Sequence, residues 1–308
     1  MTSVAASWGA RWRRRSAVPG LGLTLGVTVT VLSLVVLIPM AAVAARGLTL
    51  APDAFARAAF SPRAVHAYQL SLTTSLIAAL INGVLGVLTA WALVRYRFPG
   101  RRLLDSLVDL PFALPTAVAG ISLATLYGPN GWIGAPLARA GITLANTAGG
   151  IVIALTFIGL PFIVRTVEPV LRDLAADVEE ASASLGATRL QTLVRVVAPA
   201  LAPAWITGFA LAFARGVGEY GSVIFIAGNM PYRSEIAPLL ITIELEQFDY
   251  ASASAIALVM LGISFALLLV INTGQAWVRR RSSFGAPPDP GLIPTRTPCG
   301  SASPCWRR

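Results

Sequence analysis

Long apolar runs, broken by short polar connections that carry arginine, dominate this chain. Six of them reach the roughly 20 helical residues that a hydrocarbon core demands: 21–45, 69–94, 103–127, 148–167, 200–227 and 251–275. The pattern predicts six transmembrane helices and an all-α integral membrane protein, because inside lipid a backbone is satisfied only in helices or closed barrels. Pro39, Pro111, Pro115 and Pro161 fall inside these runs. Neighbouring helices absorb such kinks in a bundle, so the prolines are read as packing features, with moving hinges as the alternative.

The polar connections then orient the bundle. Arg11, Arg13, Arg14 and Arg15 precede the first run, Arg95, Arg97, Arg101 and Arg102 follow the second, Arg165 stands at the end of the fourth with Arg172, Arg189 and Arg195 after it, and Arg279, Arg280 and Arg281 follow the sixth. The alternate connections hold only Arg46, Arg57, Arg63, Arg139 and Arg233. The positive-inside rule places both termini and the long fourth connection in the cytoplasm. The first run exceeds the apolar stretch of about 7–15 residues typical of a signal peptide, so an uncleaved anchor is expected despite the Ala42-Val43-Ala44 sequence near its end. The chain divides into a basic tail at 1–20, a membrane domain at 21–281, and a Pro-, Gly- and Ser-rich tail at 282–308 read as disordered.

Composition removes whole classes of function. At 56% hydrophobic and 12% charged residues, most of the chain cannot face water. The net charge of +10 is spread in short runs between apolar segments, which is no nucleic-acid patch. All 24 basic residues are arginine, so no phosphate-binding loop ending in Gly-Lys-Ser/Thr exists, and ATP hydrolysis of that kind belongs to another polypeptide. One histidine, His66, and two tail cysteines, Cys299 and Cys305, make no metal site, and no cofactor is expected. Neither a Gly-x-Ser-x-Gly elbow nor a His-Glu-x-x-His pair is present, and an enzyme is not expected.

The fourth connection, 168–199, has helical spacing without the hydrophobicity to enter a bilayer. Leu174, Val178, Ala181 and Leu185 form one stripe, opposite Asp173, Asp177, Glu179 and Glu180. Gly186 is placed to stop that helix. Thr188 with Gln191 has the form of a capping box opening a second helix, with Leu190, Leu193, Val194 and Val197 as its stripe and Pro199 ending it or starting the fifth span. Amphipathicity alone leaves open whether this hairpin packs on its own bundle or meets a partner.

Glu180-Ala181-Ser182-Ala183-Ser184-Leu185-Gly186, with Val196 and Pro199 at their distances, resembles the EAA loop of ABC importer permeases. Ser182 stands in place of the second alanine of that pattern, one small residue for another. The resemblance implies a six-helix bundle of the MetI-like type, moved by a separate ATPase subunit dimer that docks on Glu179, Glu180, Ala181, Ser182, Gly186 and Ala187.

Arg215 and Glu219 lie four apart in the fifth run, and ionisable residues at membrane depth are functional candidates by default. An internal ion pair and a role toward a passing anion both remain open. The segment Ala214-Arg215-Gly216-Val217-Gly218-Glu219-Tyr220-Gly221 resembles the signature of sulfate and molybdate permeases, which implies that Arg215, Gly218, Glu219, Tyr220 and Gly221 line the translocation path near its gate. The stretch 109–120, the loop Asn130-Gly131-Trp132-Ile133-Gly134 and the stretch 248–256 look like the T-type permease of sulfate/thiosulfate importers. That likeness implies import of sulfate or thiosulfate across a bacterial inner membrane, with a second, homologous permease subunit and a periplasmic sulfate-binding protein as partners besides the lipid. A molybdate or tungstate permease is the alternative within the superfamily, and a passive anion channel the alternative outside it.

Overall fold

The computed structural model describes residues 21–174 and 176–282, which form helices joined by turns. The expectations for the tail at 1–20 and for 283–308, with Cys299 and Cys305, lie outside these residues.

Helix α1 runs from Leu21–Leu32 through a π turn at Ser33–Leu37 into Ile38–Leu48. A short helix, α2 (Pro52–Ala59), precedes α3 (Pro62–Arg95), whose start is capped by the Ser61 hydroxyl accepting from the Ala64 N–H at 3.2 Å. At 1.5 Å per residue the 34 residues of α3 extend about 51 Å, beyond a hydrocarbon core of about 30 Å, so the ends of α3 reach the bilayer surface.

The run 103–127, expected as one helix, is two: α4 (Arg101–Ala113) and α5 (Thr116–Tyr127), bent by 114°. Pro115 causes the break. Its ring disfavours helical geometry in the residue before it, and Leu114 is extended at φ −87° and ψ 137°. Pro111, by contrast, sits within α4 without stopping it.

After α6 (Gly134–Arg139), α7 (Ala148–Asp173) opens on Thr147, whose hydroxyl accepts from the Gly149 N–H at 3.2 Å, and continues past the expected end at 167. Leu174, expected in the stripe of the next helix, instead ends α7 in an extended conformation and packs on the bundle. Next come α8 (Ala176–Ser184) and α9, which runs from Arg189 through a π turn at Leu193–Val197 to Val217. The second hairpin helix and the fifth span are therefore one helix. The π turn makes this possible: the Ala198 N–H reaches back five residues to the Leu193 carbonyl, so the missing N–H of Pro199 interrupts nothing.

The fifth run also stops early. Helix α9 ends at Val217, and Val223–Ile226 is a separate turn, α10. Helix α11 (Ala237–Glu246) lies outside the six apolar runs, and α12 (Tyr250–Ser282) completes the fold. Asp249 precedes α12 and accepts from the hydroxyl of Ser252 at 2.6 Å and its N–H at 3.0 Å, which holds its carboxyl below the ordinary aspartate value. Among the described residues five helices are long and apolar enough to cross a membrane, and α4 and α5 reach that length only when the two sides of their 114° bend are taken together.

Helices α3, α7 and α9 form the centre of the bundle, in contact through small residues, as helices in lipid pack by close approach. A Cβ at Gly208 of α9 would lie 2.9 Å from Cα of Ile163 and 2.2 Å from Oγ1 of Thr166 on α7. The indole N–H of Trp205 on α9 donates to the Gly83 carbonyl of α3 at 3.0 Å. Charge ties the periphery to this centre. Arg165 on α7 pairs with Asp105 at 2.8 Å and Asp109 at 2.5 Å on α4, and with Glu168 at 2.6 Å; Glu168 also binds Arg172. Arg63 on α3 grips the buried Glu235 through two bonds of 2.6 and 2.8 Å, just before α11. His66 is half-buried, edge-on to the ring of Tyr232 with centroids 6.1 Å apart.

Candidate functional site

The hairpin of α8 and the start of α9 is assembled by its local sequence. Gly186 adopts φ +84°, the left-handed conformation that a residue other than glycine reaches only with strain. Its N–H donates to the Ala183 carbonyl at 2.9 Å and the Ala187 N–H to the Ser182 carbonyl at 3.1 Å, a Schellman closure of α8. Thr188 and Gln191 then form the expected reciprocal box: the Thr188 N–H donates to Oε1 of Gln191 at 2.8 Å, and the Gln191 N–H to Oγ1 of Thr188 at 3.3 Å. The hydroxyls of Ser182 and Thr192 lie 2.7 Å apart and join the two helices.

This arrangement divides the six residues expected to meet an ATPase. Glu179 turns inward and pairs with Arg95 at the end of α3, whose guanidinium also stands 5.8 Å from the Trp91 ring centroid. Ser182 is inside the hairpin. Glu180, Ala181 and Gly186 are exposed and Ala187 is half-buried. The apolar stripes meet the bundle only at their ends, through Leu174 and Val197, and elsewhere stay open: Leu185 is 89% exposed, Leu190 68% and Val194 58%. A cleft of ≈ 480 Å³, lined by Trp91, Tyr96, Glu180, Arg189 and Leu193 among others, separates the hairpin from the end of α3. Chemically, the surface offers exposed apolar side chains rimmed by charge.

The second constellation lies where α9 ends. Arg215 is in its last turn, while Glu219, expected inside the helix, stands just beyond Gly218. The two nevertheless form an ion pair, and the other carboxylate oxygen of Glu219 accepts from the Ser222 N–H at 2.9 Å and hydroxyl at 3.0 Å. The Glu219 side chain is 2% exposed and that of Arg215 37%, so the acid is enclosed and the guanidinium keeps an open side. Gly221 abuts Thr116 at the start of α5, Tyr220 packs against the buried cluster that includes Ile151, Val223 and Ile226, and nothing touches the Cβ position of Gly218. Among the described residues no group of three His, Cys, Asp or Glu side chains could hold a metal ion.

A family model described as the binding-protein-dependent transport system inner membrane component matches residues 82–284. The chain belongs to that family. As an inner membrane component of this kind it is a multi-pass transport subunit. It is 49% identical over 254 residues to the sulfate transport system permease protein CysT of Synechocystis sp., covering 82% of this chain and 89% of that one. With the sulfate transport system permease protein CysT of Salmonella typhimurium it shares 47% over 267 residues, 87% of this chain and 96% of the other. A bacterial ABC transporter involved in the import of alginate superimposes with a TM-score of 0.70 at 16% identity, over 83% of this chain and 94% of that one, which speaks for the fold alone.

Two residues of this permease component escaped the sequence reading. Arg95 and Arg165 count there only as topology charges, yet one anchors the hairpin through Glu179 and the other binds α4 to α7. Their partners lie 84 and 56 residues away, beyond any helical periodicity.

Proposed function

We propose that this permease component carries sulfate, with thiosulfate as related cargo, through a bacterial cell membrane. In this reading residues 21–281 form one half of a pair with a second, homologous permease subunit. A periplasmic sulfate-binding protein delivers the anion and a separate ATPase dimer drives the movement. The observation that carries the reading is identity of 49% and 47% to sulfate permeases along 82% and 87% of the chain.

The arginine distribution supports placing both termini and the connection 168–199 in the cytoplasm. There the exposed Leu185, Leu190 and Val194, with Glu180, Ala181, Gly186 and Ala187, receive the ATPase. Its rigid-body motion passes directly into a bundle helix, because the hairpin's second arm is the start of α9. At the far end of the same helix, Arg215 offsets the charge of the passing anion while Glu219, locked by Ser222, holds Arg215 in place, and Gly218, Tyr220 and Gly221 shape the gate.

The test is uptake of radiolabelled sulfate by cells that lack their own sulfate permeases and express this chain with its partners. The expected result is ATP-dependent uptake that excess molybdate inhibits weakly. Molybdate inhibition equal to that of unlabelled sulfate would transfer the assignment to molybdate or tungstate, and uptake that survives ATP depletion would make the chain a passive channel.

A further inference from the structure

The turn between α3 and α4 carries positive charge that no acid among the described residues answers. Arg97, Arg101 and Arg102 line, with Phe98 and Gly100, a concavity of ≈ 380 Å³. Among the described residues none of the three forms an ion pair; Arg46, Arg139, Arg189, Arg195 and Arg233 also form none, but here three such arginines line one concavity, whereas Arg57, Arg63, Arg95, Arg165, Arg172 and Arg215 are all paired. The first turn of α4 has no side-chain cap, since Gly100 at φ +90° supplies none, so the backbone adds open N–H groups at the same place.

The depth of this turn is set by its neighbour. Helix α3 is an apolar span that ends at Arg95, so the residues that follow stand at a bilayer surface. Helix α4 is one-sided: Val108 is buried and Asp105 and Asp109 bind Arg165 of α7, while Leu103, Leu107 and Leu110 are 65%, 50% and 37% exposed. These leucines recur at steps of four and three and form one outward stripe. Bent 114° away from α5, the helix combines an apolar stripe with arginines at its start, the build of a helix that lies along a membrane surface with its cations among the headgroups.

We propose that α4 is an in-plane interfacial helix whose cradle of Arg97, Arg101 and Arg102 binds the phosphate of an anionic phospholipid. The charge selects an anionic headgroup over a zwitterionic one, because juxtamembrane arginines gain from net negative lipid. The leucine stripe selects a lipid over a dissolved anion, since inorganic phosphate gives these side chains nothing to bury against.

Native mass spectrometry of the full chain in detergent tests this, with separate titrations of phosphatidylglycerol, phosphatidylcholine and inorganic phosphate. Each arginine contributes about fivefold toward an anionic lipid, so replacing all three by glutamine weakens phosphatidylglycerol binding on the order of 100-fold, to the level of phosphatidylcholine. Leu103→Asn with Leu107→Asn weakens both lipids together. Should the triple variant fail to fold, Arg102→Gln, whose side chain is exposed and unpaired, reads the same effect at about fivefold. Phosphatidylglycerol affinity unchanged in these variants overturns the proposal. Displacement of the lipid by equimolar inorganic phosphate overturns it in favour of a soluble anion. A Leu107→Cys chain that crosslinks in membranes only to a second polypeptide, never to a photoreactive lipid, overturns it in favour of a protein interface.

Discussion

Glu219 shows what a carboxylate needs at membrane depth. Both of its oxygens are engaged, one by Arg215 and the other by Ser222, so the buried charge is fully answered. Arg215→Ala leaves that charge with hydrogen bonds only; breaking a fully buried pair costs about 3–5 kcal/mol, and the open side of Arg215 puts this loss below that range. We expect this variant to lose thermal stability and sulfate uptake together. The double variant Arg215→Leu/Glu219→Leu separates the two roles: it removes both charges, so stability returns while uptake does not. Full uptake by the double variant would reduce the pair to packing. Asn82 is the opposite case. It is completely buried against α7 at Gly159, and neither amide atom finds a protein partner. Asn82→Leu keeps the shape and removes the unanswered group, so the unfolding temperature in detergent should rise, by the equivalent of about 1–3 kcal/mol.

Among the elements, the hairpin was the most legible and the bent α4–α5 pair the least. Gly186 and the Thr188–Gln191 box announce a helix stop and a helix start, because both signals are satisfied by backbone groups within a few residues. The fusion of the second arm into α9 was not legible, since it depends on a π turn that no residue type demands. Pro115 breaks the helix where the sequence alone suggests a packing kink or a hinge, because the residue that Pro111 leaves helical and the one that Pro115 forces extended look alike in a hydropathy pattern. The hairpin's role is tested by Gly186→Asp. The Cβ position at Gly186 meets nothing within 4 Å, so the change brings no clash with the bundle; it adds a charge to the outer surface and strains the turn at φ +84°. Membrane insertion, followed by immunodetection in the membrane fraction, should be unchanged and uptake lost; normal uptake would end the docking reading.

For the whole molecule, the decisive contacts are those that let α3, α7 and α9 approach. Gly208 sits where any side chain would strike the backbone of α7, and overpacking of this kind costs roughly 1–3 kcal/mol. Gly208→Val should therefore lower both the folded yield and the unfolding temperature, whereas the same change at Gly218, whose Cβ position is open, should leave the bundle intact. A Gly208→Val chain as stable as the parent would mean that the three helices are held apart more loosely than this geometry implies. The charges work over similar distances: Arg165 and Arg63 each join a peripheral element to the central helices.

The sequence by itself determined the class of the protein, the apolar runs, the caps of the hairpin and the family, because hydrophobicity, helical period and capping are properties of neighbouring residues. Only the tertiary structure decided which way Glu179 faces, where α9 begins and ends, and which arginines are paired. Those outcomes depend on groups that are distant along the chain and meet only when helices pack, where the cost of an unanswered charge selects the partner.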